Sequence, residues 1–151
     1  MRPVAIFVVV IACLAITIAT FILIIRHSGE DLDKQSQAYV DEIVPKIAKG
    51  WNADELLKQA SPELLKAAPE NRIRVLFDTF SKKLGPLKNY EGSKGQANIF
   101  FTFLNGRTVT ATYVSNTTFE KGAATIETRI IFRNKNWQVL RFFVNSDALL
   151  K

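Results

Sequence analysis

The chain has 151 residues, with 20 Lys and Arg against 14 Asp and Glu, and its formal net charge is +6 at pH 7. It contains one cysteine, Cys13, and one histidine, His27. Because neither residue type occurs after position 27, the rest of the chain has no cysteine nucleophile, imidazole base, disulfide or usual zinc site. We predict no cofactor and no bound metal.

The N-terminal segment carries the strongest signal in the sequence. Val4–Ile25 is an apolar run of 22 residues without a charged side chain, lying between Arg2 and Arg26. At about 1.5 Å per residue, a helix of this length spans the ~30 Å hydrocarbon core of a bilayer. We therefore predict a single-pass transmembrane anchor over residues 1–27 and a soluble domain over residues 28–151.

Two alternatives to a retained anchor stay open. A cleaved secretory signal has an apolar core of only ~7–15 residues and a small-residue cleavage site, and no such site precedes Arg26. Val10–Cys13 loosely resembles a lipobox, but the residues after Cys13 remain apolar. Arg2 favours a cytoplasmic N terminus. We expect an inner-membrane protein whose soluble domain is extracytoplasmic, in the periplasm.

Capping residues and apolar spacing predict helices in the first half of the soluble domain. Ser28 with Asp31 has the form of an N-cap, and an apolar stripe at helical spacing continues to Gly50. Asn52 and Ser61-Pro62 predict the starts of two short helices. Pro69 opens a longer helix that ends before Gly85-Pro86. Its predicted buried positions are Ile73, Leu76, Phe77, Phe80 and Leu84.

Apolar and polar residues alternate after Pro86, as is typical of strands. We predict a loop-like region at Lys88–Gly95, followed by strands. The predicted strands are Ile99–Phe103, Thr108–Phe119, Ala123–Arg133 and Trp137–Asn145, with turns at Asn105-Gly106, Lys121-Gly122 and Asn134–Asn136. Helices followed by a strand meander indicate an α+β fold, with about three helices on a curved antiparallel sheet of four or more strands.

The basic residues are concentrated in this second half. Residues 28–80 contain 7 basic and 10 acidic residues, whereas residues 81–151 contain 11 basic and 4 acidic residues. No basic run is longer than Lys82-Lys83, and the others are scattered among apolar residues. This pattern is more typical of a solvated sheet face than of a nucleic-acid site, and we predict no nucleic-acid partner.

The order of elements and several short motifs resemble the nuclear transport factor two-like superfamily, the cystatin-like α+β cone. The motifs are Pro45-x-Ile47 before Trp51-Asn52, Ala60–Leu64, Leu84–Leu87, Phe119-x-x-Gly122-x-Ala124, Asn136–Val139 and Phe142–Ser146. The small bacterial members of unknown role are the most similar in pattern. The resemblance covers residues ~34–147 and implies a sheet curved around helices with a cone-shaped cavity. The superfamily includes isomerase-like and dehydratase-like enzymes as well as binding, dimerising and accessory domains, so the fold does not settle the function.

Two groups of residues are candidates for a functional surface. Phe101, Phe103, Tyr113 and Arg141 would line a cone pocket for an apolar or anionic ligand, although core packing is the simpler interpretation of the aromatic residues. Glu127, Arg129 and Arg133 form a predicted interaction face, on which Arg141 is a cross-strand partner for Glu127. Trp51 and Trp137 are predicted to be packing residues.

Catalysis is not indicated, because the residues form no recognisable reactive set. An isomerase-like site needs a buried carboxylate base beside a hydrogen-bond donor, and the available groups are Asp78, Glu127, Tyr90 and Tyr113. The dehydratase-like members use histidine, which this domain lacks. We predict a membrane-anchored, non-catalytic interaction or accessory domain that binds an envelope protein or itself. A small-ligand-binding cone is the alternative, and an isomerase-like enzyme is the third possibility.

Overall fold

The computed structural model describes residues 3–102 and 106–150, with side chains described for residues 11, 14–20, 30–100, 106 and 108–150. The chain divides into two compact units, Met1–Leu32 and Asp33–Lys151. No helix within the described part of the chain is long and apolar enough to cross a membrane. Most side chains of the predicted anchor, Val4–Ile25, lie outside the described residues, and the anchor stays a prediction.

Helices precede strands along the chain, as predicted. The elements are α1 (Pro3–Ala48), α2 (Ala53–Gln59), α3 (Pro62–Ala67), α4 (Glu70–Leu84), β1 (Leu87–Thr102), β2 (Gly106–Phe119), β3 (Gly122–Arg133), β4 (Asn136–Asn145) and a 3₁₀ helix (Asp147–Leu149). The four strands form one antiparallel sheet in the order β1-β2-β3-β4. The α+β prediction is confirmed.

The predicted start of a helix at Ser28 is wrong, because α1 is continuous from Pro3 to Ala48. A cap residue begins a helix only where the backbone before it is not helical. No Gly or Pro interrupts the chain between Pro3 and Gly29. A single glycine costs about 1 kcal/mol in a helix interior, which is too little to end a helix that continues on both sides.

The short helices begin where the capping residues predict. The side chain of Asn52 accepts a hydrogen bond from the Asp54 N–H at 3.0 Å at the start of α2. Ser61 does the same for the Leu64 N–H at 3.2 Å at the start of α3. Each hydroxyl or amide oxygen satisfies a backbone donor that has no partner inside its own helix.

The core-facing stripe of α4 is narrower than predicted. Ile73, Phe77 and Leu84 are buried, and Phe80 is half-buried. Leu76 is 42 % exposed, so its predicted burial is wrong. Leu76 lies one residue to the side of the 73–77–84 stripe, and a short helix on one sheet buries only the centre of its apolar side.

Trp51 anchors the aromatic part of the core, as predicted. Its ring stacks on Phe119 with a centroid distance of 4.8 Å, and its Nε1 donates to the Gly85 carbonyl at 2.8 Å. Its backbone has φ 51°, a left-handed conformation that costs a residue with a Cβ about 1–2 kcal/mol. Burial and ring stacking of a large aromatic side chain offset that cost.

Lys88–Gly95 is strand rather than loop, which corrects the prediction for this segment. These residues belong to β1, which pairs with β2 from Leu87↔Phe119 to Thr102↔Gly106. Register shifts occur between Leu87 and Asn89 and between Tyr90 and Ser93. Polar residues and bulges interrupt the alternation of apolar and polar residues that would predict a strand in this segment. In addition, β propensity depends strongly on context.

The sheet has one buried face and one exposed face. Alternate residues of β2 are buried and point toward the helices: Val109, Ala111, Tyr113, Ser115, Thr117 and Phe119. On the helical side, α1 contributes Val40, Val44 and Ile47 to the same core. The opposite face of the sheet is not covered by this core, and it presents the other alternate residues.

Candidate functional site

The exposed face of the sheet is the surface on which most of the predicted interaction residues lie. We define the outer face by the following residues, which share one side of the sheet: Lys94, Phe100, Thr112, Val114, Glu127, Arg129, Arg141 and Phe143. Period-two alternation along the strands places them on this face, opposite the buried residues of β2. Three apolar side chains on this face are well exposed: Phe100 at 55 %, Val114 at 40 % and Phe143 at 48 %.

Strand register brings two arginines together at the centre of the outer face. Arg129 on β3 lies directly opposite Arg141 on β4. Arg129 Nε donates to Thr112 Oγ1 at 3.2 Å. Arg141 Nε lies 3.7 Å from a Glu127 carboxylate oxygen, so the predicted partnership between these two residues is confirmed. Like charges at directly opposed positions of a sheet repel each other. The carboxylate of Glu127 offsets the positive charge of Arg141.

An apolar ring lies beside these charges. The guanidinium carbon of Arg141 is 5.2 Å from the centroid of the Phe143 ring, within the range of a cation–π contact. Phe143 is the register partner of Glu127, and Val114 is the partner of Glu127 on the other side. The outer face therefore carries Val114 and Phe143 on either side of Glu127, next to the two opposed arginines.

Arg133, the third residue of the predicted interaction face, is bound within the domain. Its guanidinium donates to both carboxylate oxygens of Glu63, at 2.9 and 3.3 Å. Hydrogen bonds from Arg133 lower the pKa of the Glu63 carboxyl group. This fork-like pair joins the end of β3 to α3 and separates Arg133 from the arginines of the outer face.

The predicted pocket residues are not brought together. Tyr113 lies in the core with no exposed surface, and its hydroxyl is 2.8 Å from Ser36 Oγ and donates to the Asp33 carbonyl at 3.0 Å. Arg141 lies on the opposite face of the sheet. The side chain of Phe101 and the whole of Phe103 lie outside the described residues. A ligand role for these positions stays a prediction.

The two carboxylates considered for catalysis are both paired with cations near the surface. Asp78 is 60 % exposed and lies 2.5 Å from Lys82 Nζ. Glu127 is 34 % exposed and lies beside Arg141. Neither lies in the apolar, buried environment that an isomerase-like general base requires. An isomerase-like site therefore gains no support from Asp78 or Glu127.

A polar cluster between α1 and β1 was missed by sequence reasoning. One Asp41 carboxylate oxygen accepts from the Tyr90 hydroxyl at 2.6 Å and from the Ser93 N–H at 2.9 Å. Asp33 accepts from the Ala97 N–H at 2.6 Å, and Gln37 donates to the Ser93 carbonyl at 2.8 Å. Asp33, Gln37 and Asp41 follow one another at intervals of four residues on α1 and therefore share one face of the helix. This spacing can be read from the sequence, and it was the available signal for the cluster.

Burial raises the pKa of the tyrosine hydroxyls of this region. Burial and then the hydrogen bond to Asp41 raise the pKa of Tyr90 to about 12. Burial also raises the pKa of Tyr113. Neutral phenols at physiological pH act as hydrogen-bond donors to the carboxylate and carbonyl of α1, so this cluster positions the helix on the sheet.

A groove of about 440 Å³ lies elsewhere, between the end of α2 and the beginning of β4. Its lining includes Tyr39, Lys58, Gln59, Lys135, Trp137 and Gln138. Burial, followed by the nearby Glu42 charge, raises the pKa of Tyr39 to about 12. The Tyr39 hydroxyl donates to Gln59 Oε1 at 2.9 Å.

Within the described residues, no group of three or more His, Cys, Asp or Glu side chains is placed to hold a metal ion. Comparison with protein-family models, curated proteins and solved structures gave no match for this chain. The resemblance to the α+β cone superfamily stays a prediction.

Proposed function

We propose that this chain is a membrane-anchored, extracytoplasmic interaction module of the cone type, without catalysis of its own, that binds an acidic envelope protein through its outer face. The observation that carries the proposal is the exposure of Val114 and Phe143 on that face beside the opposed pair Arg129 and Arg141. The apolar run Val4–Ile25 supports the anchor, because it has the length and composition of a membrane span.

The apolar side chains favour a protein partner. Val114 and Phe143, on either side of Glu127, are each at least 40 % exposed. Exposed apolar residues grouped on one face and bordered by polar residues are typical of protein–protein contacts. Aromatic and arginine side chains contribute most strongly to such contacts when a partner covers them.

The charges favour an acidic partner over a second copy of this chain. Arg129, Arg141 and Lys94 contribute three positive charges to the outer face, against the single carboxylate of Glu127. Two copies meeting face to face would bring these excess positive charges together, which is unfavourable. Carboxylates from a different protein would pair with the two arginines and reduce the electrostatic repulsion between Arg129 and Arg141.

The ligand-binding alternative has less support at the predicted position. Tyr113 is packed and hydrogen-bonded inside the core, and Arg141 is on the other side of the sheet. Binding by the cone interior would require the core between α1 and the sheet to open. No observation in the described residues favours the isomerase-like alternative.

Site-specific photo-cross-linking in intact membranes tests the proposal. The full-length chain would carry p-benzoylphenylalanine in place of Phe143, and a second version would carry it in place of Val75, which is 67 % exposed on α4. We expect a discrete heavier product only from position 143. Its cross-linked peptide, identified by mass spectrometry, should be rich in Asp and Glu.

Charge reversal supplies the matched control. Arg129→Glu with Arg141→Glu should lower the yield at position 143 by about tenfold or more, the scale on which close charge pairs act at interfaces. Arg72→Glu, an exposed substitution on α4, should leave the yield unchanged. A product of twice the chain mass would indicate self-association, and a lipid adduct would indicate membrane contact. Either result, or equal products from positions 75 and 143, would overturn the proposal.

A further inference from the structure

The two opposed arginines of the outer face have their guanidinium groups held in different directions. Arg129 Nε donates to Thr112 Oγ1 at 3.2 Å, which directs this guanidinium group toward β2. The guanidinium carbon of Arg141 lies 5.2 Å from the centroid of the Phe143 ring, on β4. The two groups are therefore directed to the strands on either side of β3, which lowers the repulsion between their like charges.

In both arginines the inner nitrogen has a partner within the domain and the terminal nitrogens do not. Arg129 Nε donates to a threonine hydroxyl, and Arg141 Nε lies 3.7 Å from a Glu127 carboxylate oxygen. Among the described residues, neither arginine donates a hydrogen bond from its terminal Nη1 and Nη2 atoms. Arg133 shows the contrasting arrangement, since both of its terminal nitrogens donate to Glu63. The outer face thus presents two pairs of terminal N–H groups to a partner.

The separation of these two pairs decides how many carboxylates they bind. Neighbouring strands lie about 4.8 Å apart, so β2 and β4 are separated by about 10 Å. A carboxylate hydrogen-bonds to a guanidinium group over about 2.7–2.9 Å, so one carboxylate does not reach both arginines at that separation. Two separate carboxylates therefore fit the pair better than one shared carboxylate.

The same spacing distinguishes between possible partner segments. Seven residues of an α-helix cover about 10.5 Å and return to nearly the same helix face. Residues at positions i and i+3 of a strand are about 10 Å apart, but their side chains point to opposite faces. A helix with acidic residues at i and i+7 places both carboxylates on one face at the required distance, whereas a strand does not.

We propose that the partner presents an α-helix that lies across β2, β3 and β4 and carries two Asp or Glu residues seven positions apart. One carboxylate would bind Arg129 and the other Arg141, each through the terminal N–H groups. Apolar residues of the same helix face would cover Val114 and Phe143, which are each at least 40 % exposed. Thr112 is then a positioning residue, because its hydroxyl holds the Arg129 guanidinium group. This inference rests on the proposed interaction of the outer face with an acidic envelope protein.

The peptide that cross-links to position 143 gives the first test. The full-length chain with p-benzoylphenylalanine in place of Phe143 is irradiated in intact membranes, and the partner peptide is sequenced by mass spectrometry. We expect this peptide to belong to a segment with Asp or Glu at i and i+7 and apolar residues between them. A segment without such a pair would overturn this inference and leave the proposed interaction in place. The absence of any product would contradict the proposed interaction itself, and this inference with it.

Charge-conserving variants test the two pairs of terminal N–H groups. Lysine keeps the positive charge but lacks the planar set of donors that binds a carboxylate at two points. Arg129→Lys and Arg141→Lys should each weaken the complex about threefold, measured as loss of cross-linked product when detergent-solubilised membranes are diluted. Because each arginine binds its own carboxylate, the double variant should weaken the complex about ninefold. A double variant no weaker than either single variant would overturn the inference.

Thr112→Val tests the positioning role, because it removes the hydroxyl and keeps the shape of the side chain. It should weaken the complex about threefold, and Thr112→Ser should restore the natural strength because serine keeps the acceptor. In a chain that carries Arg129→Lys, Thr112→Val should have no further effect, since the hydroxyl acts through Arg129. Thr110→Val, on the same face of β2, is the matched control and should leave the complex unchanged. Equal losses from Thr112→Val with and without Arg129→Lys would contradict the positioning role.

Discussion

At the scale of single residues, Gly95 controls how closely β1 approaches β2. A Cβ added at Gly95 would lie 2.0 Å from the Thr112 carbonyl oxygen and 2.8 Å from Tyr113 Cα. Both neighbours are backbone atoms, which cannot rotate away as a flexible side chain can. Gly95 and Tyr113 are register partners, so the glycine gives the buried tyrosine room under the strand.

Gly95→Ala should therefore destabilise the domain by about 1–3 kcal/mol, the usual cost of overpacking a well-filled site. Urea unfolding followed by tryptophan fluorescence measures this change. Gly50→Ala is the matched control, because a Cβ there meets nothing within 4 Å. The control should be neutral or slightly stabilising. Equal stability of the two variants would contradict the close approach of β1 and β2 at Gly95.

Residue-scale predictions from the sequence succeeded where the cause is local. Alternation predicted that Glu127 and Arg129 share a face, and the partnership of Arg141 with Glu127 followed from strand adjacency. The attachment of Arg133 to Glu63 was not predictable, because the two residues are 70 positions apart in the chain. The separation of Tyr113 from Arg141 depends on β-strand register, which a bulge between Arg129 and Ile130 changes.

At the scale of elements, the carboxylates of α1 satisfy backbone groups of an edge strand. β1 lies at one end of the sheet order, so one side of it has no neighbouring strand. Asp33 and Asp41 accept from the Ala97 and Ser93 N–H groups. Covering an edge in this way protects it from pairing with other chains and holds the helix in register with the sheet.

Asp41→Ala should lower the free energy of unfolding by about 2 kcal/mol, because the Tyr90 hydroxyl and the Ser93 N–H lose a partner while partly buried. Urea unfolding gives the total change, and hydrogen exchange at the Ser93 amide locates it. Glu42→Ala is the control, since Glu42 is 64 % exposed and pairs with Lys46 one turn along the same helix. An exposed helix pair contributes about 0.3–0.5 kcal/mol. Unchanged exchange at Ser93 in Asp41→Ala would contradict the helix–strand connection.

The cluster on α1 also explains why β1 was assigned incorrectly from its sequence. Lys88–Gly95 contains polar residues and two glycines, which strands usually avoid. Hydrogen bonds from β2 on one side and from α1 on the other stabilise the extended backbone there. Such support comes from residues distant in the chain, and no local window contains it.

At the scale of the whole molecule, the fate of the apolar run decides where the domain works. A retained anchor should give an intact mass of 17.0 kDa, the mass of the full chain, for protein purified from membranes. Signal cleavage would give a shorter chain, and lipidation at Cys13 would remove the preceding residues and add acyl groups. A shorter or lipidated product would contradict the anchor.

A substitution in the run provides the control for this measurement. Ile16→Arg places a charge near the middle of Val4–Ile25, where it costs about 2.5–3.5 kcal/mol on the insertion scale. We expect a smaller fraction of the protein to remain in the membrane after alkaline extraction. Ile16→Leu should behave like the natural chain.

The sequence by itself determined the order of helices and strands, the capped starts of α2 and α3, and the alternation that gives the sheet an exposed face. These features depend on residues within a few positions of one another, through hydrogen bonds of caps and periodic burial. Tertiary structure alone decided the extent of β1, the polar connection from α1, the retention of Arg133 by Glu63 and the groove around Trp137. Each of these joins groups far apart in the chain, and such contacts exist only after folding has brought them within hydrogen-bonding distance.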